Sequence, residues 1–179
     1  SYPIFVEGDL DRTSELEMTR SSPVLLVRDS AVPPGRFRPS RLREYSLDAR
    51  KTQSVYQSII DSAEGYKLDR RSWLIAEGGG TTSDVVTYAA ATYLRGIAHG
   101  IFPTTLLAMV DAAIGGKGGL DTEFGKNRVG VIWQPRWVYV NTQRLQTLPN
   151  REFLSGLGEL IKTMWIAGES AMLQLRNWF

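Results

Sequence analysis

The chain has 179 residues, of which 42% are hydrophobic and 22% charged, with a formal net charge of +2. These values are ordinary for a globular protein, and the small positive excess does not by itself indicate nucleic-acid binding. The absence of cysteine excludes disulfides and thiolate metal sites, and the single histidine, His99, excludes a multi-histidine site. No apolar run approaches the ~20 residues of a membrane-spanning helix, and no signal peptide is visible, so we expect no membrane partner.

The first third of the chain predicts two strands, a loop and a helix. Ile4–Val6 and Pro23–Val27 are short apolar runs, and the second is continuous, which is typical of a parallel strand covered on both faces. Residues 31–46 contain three prolines and four arginines and predict an irregular basic loop, either a solvated segment or a patch for an anion or a partner. Helical spacing then predicts a helix over 48–64, with Asp48 as a candidate cap.

The middle of the chain predicts alternating strands and helices. The predicted strands are short and apolar: 73–76, 101–102, 129–133 and 137–140. The predicted helices are one from Ser83 or Asp84 to about Leu94 and one from Thr104 or Thr105 to about Ile114. This alternation predicts an α/β fold with a Rossmann-like parallel sheet over residues 1–148. Helices dominate after Pro149, so residues 149–179 are predicted to be the start of a truncated helical domain.

Three glycines, Gly78–Gly80, separate a predicted strand from a predicted helix. Backbone N–H groups can approach an anion closely at such a helix start, although the same pattern also makes an ordinary tight turn. Two glycine–lysine segments follow, with Lys117 and Lys126, and lysines suit phosphate and carboxylate groups. Asp111 interrupts an apolar helix, so it is either a site residue or a buried charge that needs a partner.

These segments, in this order, resemble the 3-dehydroquinate synthase family. The resemblance covers almost the whole chain and is most specific between residues 78 and 162, and its character is that of the fungal synthase domain of a multifunctional shikimate-pathway polypeptide. The matching segments are Gly78–Gly80 with Asp84, Ala90–Gly96, Pro103–Asp111, Ile114–Lys117, Gly125–Asn127, Trp133–Pro135, Thr147–Glu152 and Gly158–Lys162. The family fold has an N-terminal NAD-binding α/β domain and a C-terminal helical metal domain.

The resemblance also implies roles for single residues. The residues implied to contact NAD are Asp29, Asp48, Lys51, Gly79, Gly80, Asp84, Thr104 and Thr105. Those implied to surround a phosphorylated, carboxylated substrate are Asp111, Lys117, Lys126, Asn127 and Lys162. Glu159 is implied to be one of three zinc ligands. In the family the other two ligands are histidines of the helical domain, and this chain does not contain those two histidines.

Several residues depart from the family pattern, and they cluster near the nucleotide side. Ser83 and Thr87 stand where the family has glycine, and Ser83 would add strain of about 1 kcal/mol if its φ were positive. Ala112 and Ala113 replace a serine pair, and Gly118 replaces a frequent threonine.

These departures suggest a first hypothesis, a non-catalytic synthase-like domain of a fungal transcription activator that regulates quinate utilisation. Such a domain would act in the nucleus through a pathway metabolite or a regulatory protein. It would meet DNA only through a region outside this chain.

A second hypothesis is a fragment of a genuine NAD- and zinc-dependent 3-dehydroquinate synthase of the shikimate pathway, in the cytoplasm. That enzyme would convert a heptulosonate phosphate into 3-dehydroquinate. On either hypothesis we expect the 179-residue chain to be inactive alone, because two metal ligands are absent. NAD and zinc are cofactors of the family, and neither is assigned to this chain as its own cofactor. We also expect a homodimer.

Overall fold

A computed structural model of the chain describes residues 1–6, 21–35, 37, 39–48 and 50–178. The strands of this part are β1 Ile4–Val6, β2 Val24–Asp29, β3 Leu42–Leu47, β4 Trp73–Gly78, β5 Ala98–Pro103, β6 Lys117–Thr122, β7 Gly125–Ile132 and β8 Trp137–Val140. The helices are α1 Gln53–Gly65, α2 Gly80–Thr92, α3 Asn150–Ala167 and α4 Glu169–Trp178. Shorter helical segments are the 3-10 turns Tyr93–Arg95 and Thr142–Thr147 and the π-helical turn Ala108–Ala112. In the described part of the chain, every helix is too short or too polar to cross a bilayer.

Six of these strands form one sheet in the order β1-β8-β5-β4-β2-β3, and every neighbouring pair is parallel. Strands β6 and β7 form a separate antiparallel ribbon. Parallel strands need crossover connections: α2 joins the neighbours β4 and β5, and α1 joins β3 to β4 across β2. The predicted α/β, Rossmann-like fold is therefore confirmed.

The core lies on both faces of the sheet because successive strand residues point to opposite sides. On one face Leu74 and Ala76 of β4 pack with apolar residues of α1 and α2. On the other face Trp73 and Ile75 pack in an aromatic layer with Phe37, Phe102, Trp137 and Tyr139. Strand β4 is buried along its whole length, which explains its continuous apolar character.

Two predictions in the first half of the chain are wrong. Residues 42–46, expected to be loop, belong to β3, which is an edge strand and therefore carries exposed charges such as Arg43. The rest of the predicted basic loop is only partly described, since Arg36 and Arg38 lie outside the described residues. Asp48 does not cap α1, because the helix begins at Gln53 and Thr52 accepts a hydrogen bond from the Val55 N–H.

Further differences concern the region after β4. Helix α2 begins at Gly80, earlier than the predicted Ser83 or Asp84, because the glycines themselves enter the helix. The ribbon strand β6 was not predicted, since its sequence has two glycines and Thr122 is its one β-branched residue. Thr105 does cap the next short helix, as predicted, by accepting a hydrogen bond from the Ala108 N–H at 3.1 Å.

Candidate functional site

The candidate site lies at the carboxyl edge of the sheet, where the segments that follow the parallel strands meet. Gly78–Gly80 follows β4, Thr104 and Thr105 follow β5, and Asp29 ends β2. The Thr104 N–H donates to the Gly78 carbonyl at 2.9 Å, which holds the first two segments together. Ligands of open α/β sheets bind outside this edge.

The glycine turn leaves the start of α2 open to a ligand. No side chain caps the helix at Gly79, so its first N–H groups point outward without a side-chain acceptor. The hydroxyls of Thr82 and Thr104 are buried and have no hydrogen-bond partner among the described residues. Free backbone donors at a helix N-terminus fit a phosphate group, so these residues fit the pyrophosphate of a dinucleotide.

Lys51 connects the start of α2 to the β6–β7 ribbon. Its ammonium lies 2.6 Å from the Asp84 carboxylate and also contacts the Asn127 side chain. Asp121 of β6 lies 3.9 Å from the same ammonium and accepts a hydrogen bond from the Asn127 N–H. The Asp121 N–H in turn donates to the Lys51 carbonyl at 2.7 Å. The start of α2 and both strands of the ribbon therefore meet at Lys51.

Asp84 is the most buried carboxylate of this group. Burial raises its pKa above the ordinary value, and this effect outweighs the opposing influence of Lys51 and Lys117. The two lysines favour the charged carboxylate, and burial disfavours it. Asp84 is therefore sensitive to any change in the cations around it.

A cavity of about 490 Å³ lies between the α2 start, the π-helical turn and the ribbon. Its lining residues include Asp84, Asp111, Lys117, Asn127 and Gly118. The Lys117 ammonium donates to Asp111 at 2.7 Å, and both side chains are nearly half exposed. Asp111 is thus a paired, accessible carboxylate and not an isolated buried charge. The cavity offers an anion-binding cation and a proton acceptor beside each other.

Two departures from the family pattern, Thr87 and Gly118, contact each other. A Cβ at Gly118 would lie 2.7 Å from the Tyr88 nitrogen and 2.9 Å from the Thr87 Cβ. The absence of a side chain at 118 therefore makes room for Thr87, whose hydroxyl also pairs with the His99 ring at 3.2 Å. Thr87 therefore packs between His99 of the sheet and Gly118 of β6.

The strain considered for Ser83 is absent. Ser83 lies inside α2 and is not among the non-glycine residues with positive φ. Its hydroxyl donates to the Gly79 carbonyl at 3.2 Å, so the side chain is satisfied within the helix. The glycine turn thus keeps its shape with serine at this position.

Glu159 and Lys162 form an ion pair one turn apart on α3. The pKa of Lys162 is raised, chiefly by its hydrogen bond to Glu159, and Asp111 adds to the effect. Helix α3 therefore brings this pair near the wall of the cavity. Among the described residues no three His, Asp or Glu side chains converge on one point, so Glu159 alone does not make a zinc site.

The remaining predicted residues lie further from the cavity. Asp29 closes a turn by accepting a hydrogen bond from the Ala31 N–H, and Asp48 is exposed beside Arg50. Lys126 is exposed on β7 and does not line the cavity. The structure therefore groups Lys51, Asp84, Asn127, Asp111 and Lys117, and leaves these three at the periphery.

Sequence reasoning missed a buried charge cluster below the glycine turn. Glu77 precedes Gly78, and it contacts Arg28 and Arg144 although it is almost fully buried. One signal could have revealed it, since a glutamate inside the apolar run 73–77 is a charge that must find partners. Those partners, from β2 and the 142–147 turn, have no recognisable spacing in the sequence.

Comparison with known sequences shows what the chain is similar to. The 3-dehydroquinate synthase N-terminal family matches residues 45–155. A 3-dehydroquinate synthase of Prochlorococcus marinus is 48% identical over 139 residues, which cover 78% of this chain and 37% of that protein. A pentafunctional AROM polypeptide of Lachancea thermotolerans is 44% identical over 140 residues, covering 75% of this chain and 9% of that protein. The chain thus spans little more than a third of the first relative.

Solved structures agree on the fold. A 2-epi-5-epi-valiolone synthase from Streptomyces hygroscopicus, with NAD+ and Zn2+ bound, superposes with a TM-score of 0.80 at 26% identity, covering 90% of this chain and 49% of that one. A 2-deoxy-scyllo-inosose synthase in complex with carbaglucose-6-phosphate, NAD+ and Co2+ has a TM-score of 0.78 at 28% identity, with coverages of 90% and 47%. Since the family match spans more than half of its residues, this chain belongs to the 3-dehydroquinate synthase family and carries the N-terminal part.

Proposed function

We propose that this chain is the nucleotide- and substrate-binding part of an NAD- and zinc-dependent 3-dehydroquinate synthase of the shikimate pathway, acting within a longer protein. The observation that carries the proposal is the set of charged groups around one cavity beside an uncapped helix start. Lys51 with Asp84, and Lys117 with Asp111, line or border that cavity. The Lys51–Asp84 pair is largely buried and can hold the wall of the cavity, whereas the Lys117–Asp111 pair is nearly half exposed and accessible to a ligand.

The residues have distinct roles in this proposal. Gly79 and Gly80 would hold the pyrophosphate of NAD at the start of α2, with Thr104 and Thr105 beside it. When bound, NAD supplies a reversible hydride acceptor. Lys117 would bind an anionic group of the substrate, and Asp111 would orient Lys117 and accept a proton from a substrate hydroxyl. Asn127 and Lys51 would hold the ribbon over the bound molecules.

Zinc does not fit this chain alone. Glu159 is paired with Lys162 and lacks companions among the described residues. A catalytic zinc site needs about three protein ligands. The proposal therefore assigns Glu159 as one ligand whose partners come from outside this chain, and it derives no step from the metal.

The activator hypothesis has lost much of its motivation, although it is untested. Its main support was disturbance of the nucleotide side by Ser83 and Thr87, and both side chains fit without strain. The relatives described above are synthases and a multifunctional polypeptide, which favours the enzyme. The homodimer and the cytoplasmic location proposed with the enzyme stay predictions.

Calorimetric titration of the chain with NAD tests the nucleotide part of the proposal. We expect saturable binding by the natural chain and at least tenfold weaker binding by Gly80→Asp, since the added carboxylate would repel the pyrophosphate at the helix start. Gly65→Asp is the matched control, because Gly65 is exposed at the end of α1 with no atom within 4 Å of an added Cβ.

The two hypotheses predict different outcomes. Binding by the natural chain and by Gly65→Asp, but not by Gly80→Asp, supports the enzyme. If the natural chain shows no heat of binding at millimolar NAD, the nucleotide site has decayed and the regulatory domain becomes the better proposal. Synthase turnover must be measured on the longer protein, because this chain lacks metal ligands.

A further inference from the structure

Glu77 is a buried carboxylate at the point where β4 meets the glycine turn. It lies on the same sheet face as Trp73 and Ile75, so it closes the aromatic layer at the carboxyl edge. Arg28 donates from its Nε to Glu77 at 2.7 Å, and a guanidinium nitrogen of Arg144 contacts the other carboxylate oxygen. The side chain of Glu77 is only 4% exposed.

The two arginines bring distant segments to this carboxylate. Arg28 belongs to β2 and also donates to Glu44 of β3 at 2.9 Å. Arg144 belongs to the turn between β8 and α3, and its second guanidinium nitrogen donates to the Pro33 carbonyl at 2.8 Å. The β2, β4 and β8 ends and the loop at 33–35 are therefore held by one acidic side chain.

The loop at 33–35 approaches this cluster closely. A Cβ at Gly35 would lie 2.5 Å from a Glu77 carboxylate oxygen and 2.6 Å from Arg144, so a side chain there would displace the ends of these two side chains. The same loop follows Asp29, whose carboxylate closes the turn after β2. A side chain at 35 would separate the loop from the strand end.

Stability alone does not explain such a cluster. Removing two or more charges from water costs several kcal/mol per ion, and apolar residues of similar size often replace buried ion pairs without loss. The aromatic layer below Glu77 is already apolar and could be extended upward. A network of this kind instead fixes the relative positions of the segments that it joins.

We infer that Glu77, through Arg28 and Arg144, is a positioning residue that holds the Gly78–Gly80 turn in register with the segments after β2 and β8. Arg144 lies in the 142–147 turn that precedes α3, and α3 carries Glu159 and Lys162. The cluster thus connects the nucleotide turn with the beginning of the helical region. The effect that we expect this cluster to have on NAD affinity rests on the function proposed above.

The test replaces Arg144, because Glu77 then keeps Arg28 and the fold is disturbed least. Arg144→Met removes the link to the 142–147 turn and to Pro33, and Arg144→Lys restores a positive charge. Arg71→Met is the matched control, because the Arg71 side chain is 90% exposed. Amide hydrogen exchange and NAD titration are measured for all four proteins.

In Arg144→Met we expect amide exchange to rise at least fivefold at Ser83 and Thr104, whose N–H groups donate to the Gly79 and Gly78 carbonyls, and at Val32, whose N–H donates to the Asp29 carbonyl. NAD binding should weaken about tenfold, and Arg144→Lys should recover part of both effects. Unchanged exchange at Ser83 and Thr104 in Arg144→Met, or an equal change in Arg71→Met, would overturn the positioning role. Exchange that rises uniformly over the sheet would also overturn it, since that is general destabilisation. Exchange needs no nucleotide, so failure of the natural chain to bind NAD counts against the proposed function alone.

Discussion

The nucleotide side and the ribbon side of the cavity are built in opposite ways. Below the glycine turn, Arg28 and Glu77 form an ion pair whose side chains are 10% and 4% exposed. On the ribbon side, Lys117 and Asp111 form a pair whose side chains are 47% and 43% exposed. A buried pair fixes backbone segments, whereas an exposed pair contributes little to stability and can exchange its partner for a ligand.

The ribbon is attached to the rest of the fold mainly through β6. Strand β7 is exposed along most of its length, whereas β6 is buried from Gly118 to Leu120, and Leu120 belongs to the core. Two further contacts are the close approach of Gly118 to α2 and the cation of Lys51. The contrast predicts that substitutions at these two points affect stability, and that substitutions at the exposed pair affect binding.

The largest expected effect is that of Lys51→Met, which removes the cation between α2 and the ribbon. Asp84 would be left buried without its closest partner, and we expect the free energy of unfolding to fall by about 3 kcal/mol. Denaturant unfolding measures the loss, with Lys126→Met as a control on the exposed ribbon surface. A loss no greater than that of the control would mean that the ribbon is held in another way.

The next effect is a dependence on pH that comes from His99. Burial, aided by Arg136, lowers the pKa of His99 to about 3. The unfolded chain takes up this proton below about pH 6.5 and the folded chain does not, so stability is lost as pH falls from 6.5 towards 3. At pH 4.5 this one group accounts for a loss of about 2.5 kcal/mol relative to neutral pH.

The pH effect is measured by comparing unfolding at pH 7 and pH 4.5 in the natural chain and in His99→Gln. Glutamine lowers stability at both pH values by removing the ring, but it cannot take up the proton. The difference between the two pH values should therefore shrink by about 2.5 kcal/mol. Identical pH profiles would show that His99 is protonated in the folded chain.

A smaller effect is expected for Gly118→Ala. The added methyl would meet Tyr88 and Thr87 of α2, and we expect overpacking to cost about 2 kcal/mol. Gly158→Ala is the control, because a Cβ there has open space and alanine favours a helix interior by up to about 1 kcal/mol. Equal stability of Gly118→Ala and the natural chain would mean that the ribbon shifts freely away from α2.

The smallest effect on stability is expected for Lys117→Met. Because both members of the pair are nearly half exposed, its loss should cost below about 1 kcal/mol. Binding of an anionic sugar phosphate to the longer protein should nevertheless weaken at least tenfold. If Lys117→Met lost much stability and bound the ligand unchanged, Lys117 would serve to hold the fold together, as Glu77 does. The two sides of the cavity would then not differ in the way described above.

The fold was largely predictable because its central strands are continuous apolar runs. Leu74 to Ala76 and Val24 to Val27 could hardly be anything except buried strands beside helices. The edge strand β3 was not predictable, since the adjacent charged residues Arg43 and Glu44 break the alternation expected of a strand, and the segment follows a run that contains prolines. Only its pairing with β2, a tertiary contact, makes it a strand.

The candidate site was predictable in its members but not in its partnerships. The motifs around Asp84, Lys117 and Asn127 identify the residues, and the structure supplies the contact of Lys51 with two of them. The contact between Thr87 and Gly118 could not be predicted either, because the two residues are distant in the sequence. When these two differences from the family are considered one at a time, each suggests loss of the nucleotide site.

The pairing of β1 with β8 has a consequence for synthesis on the ribosome. Ile4 of the edge strand lies opposite Val138, so the partner of β1 is made only after nearly the whole sheet has been translated. Until then β1 is an unpaired apolar strand, the kind of edge that invites association with other chains. Strand β1 therefore docks among the last strands of the sheet.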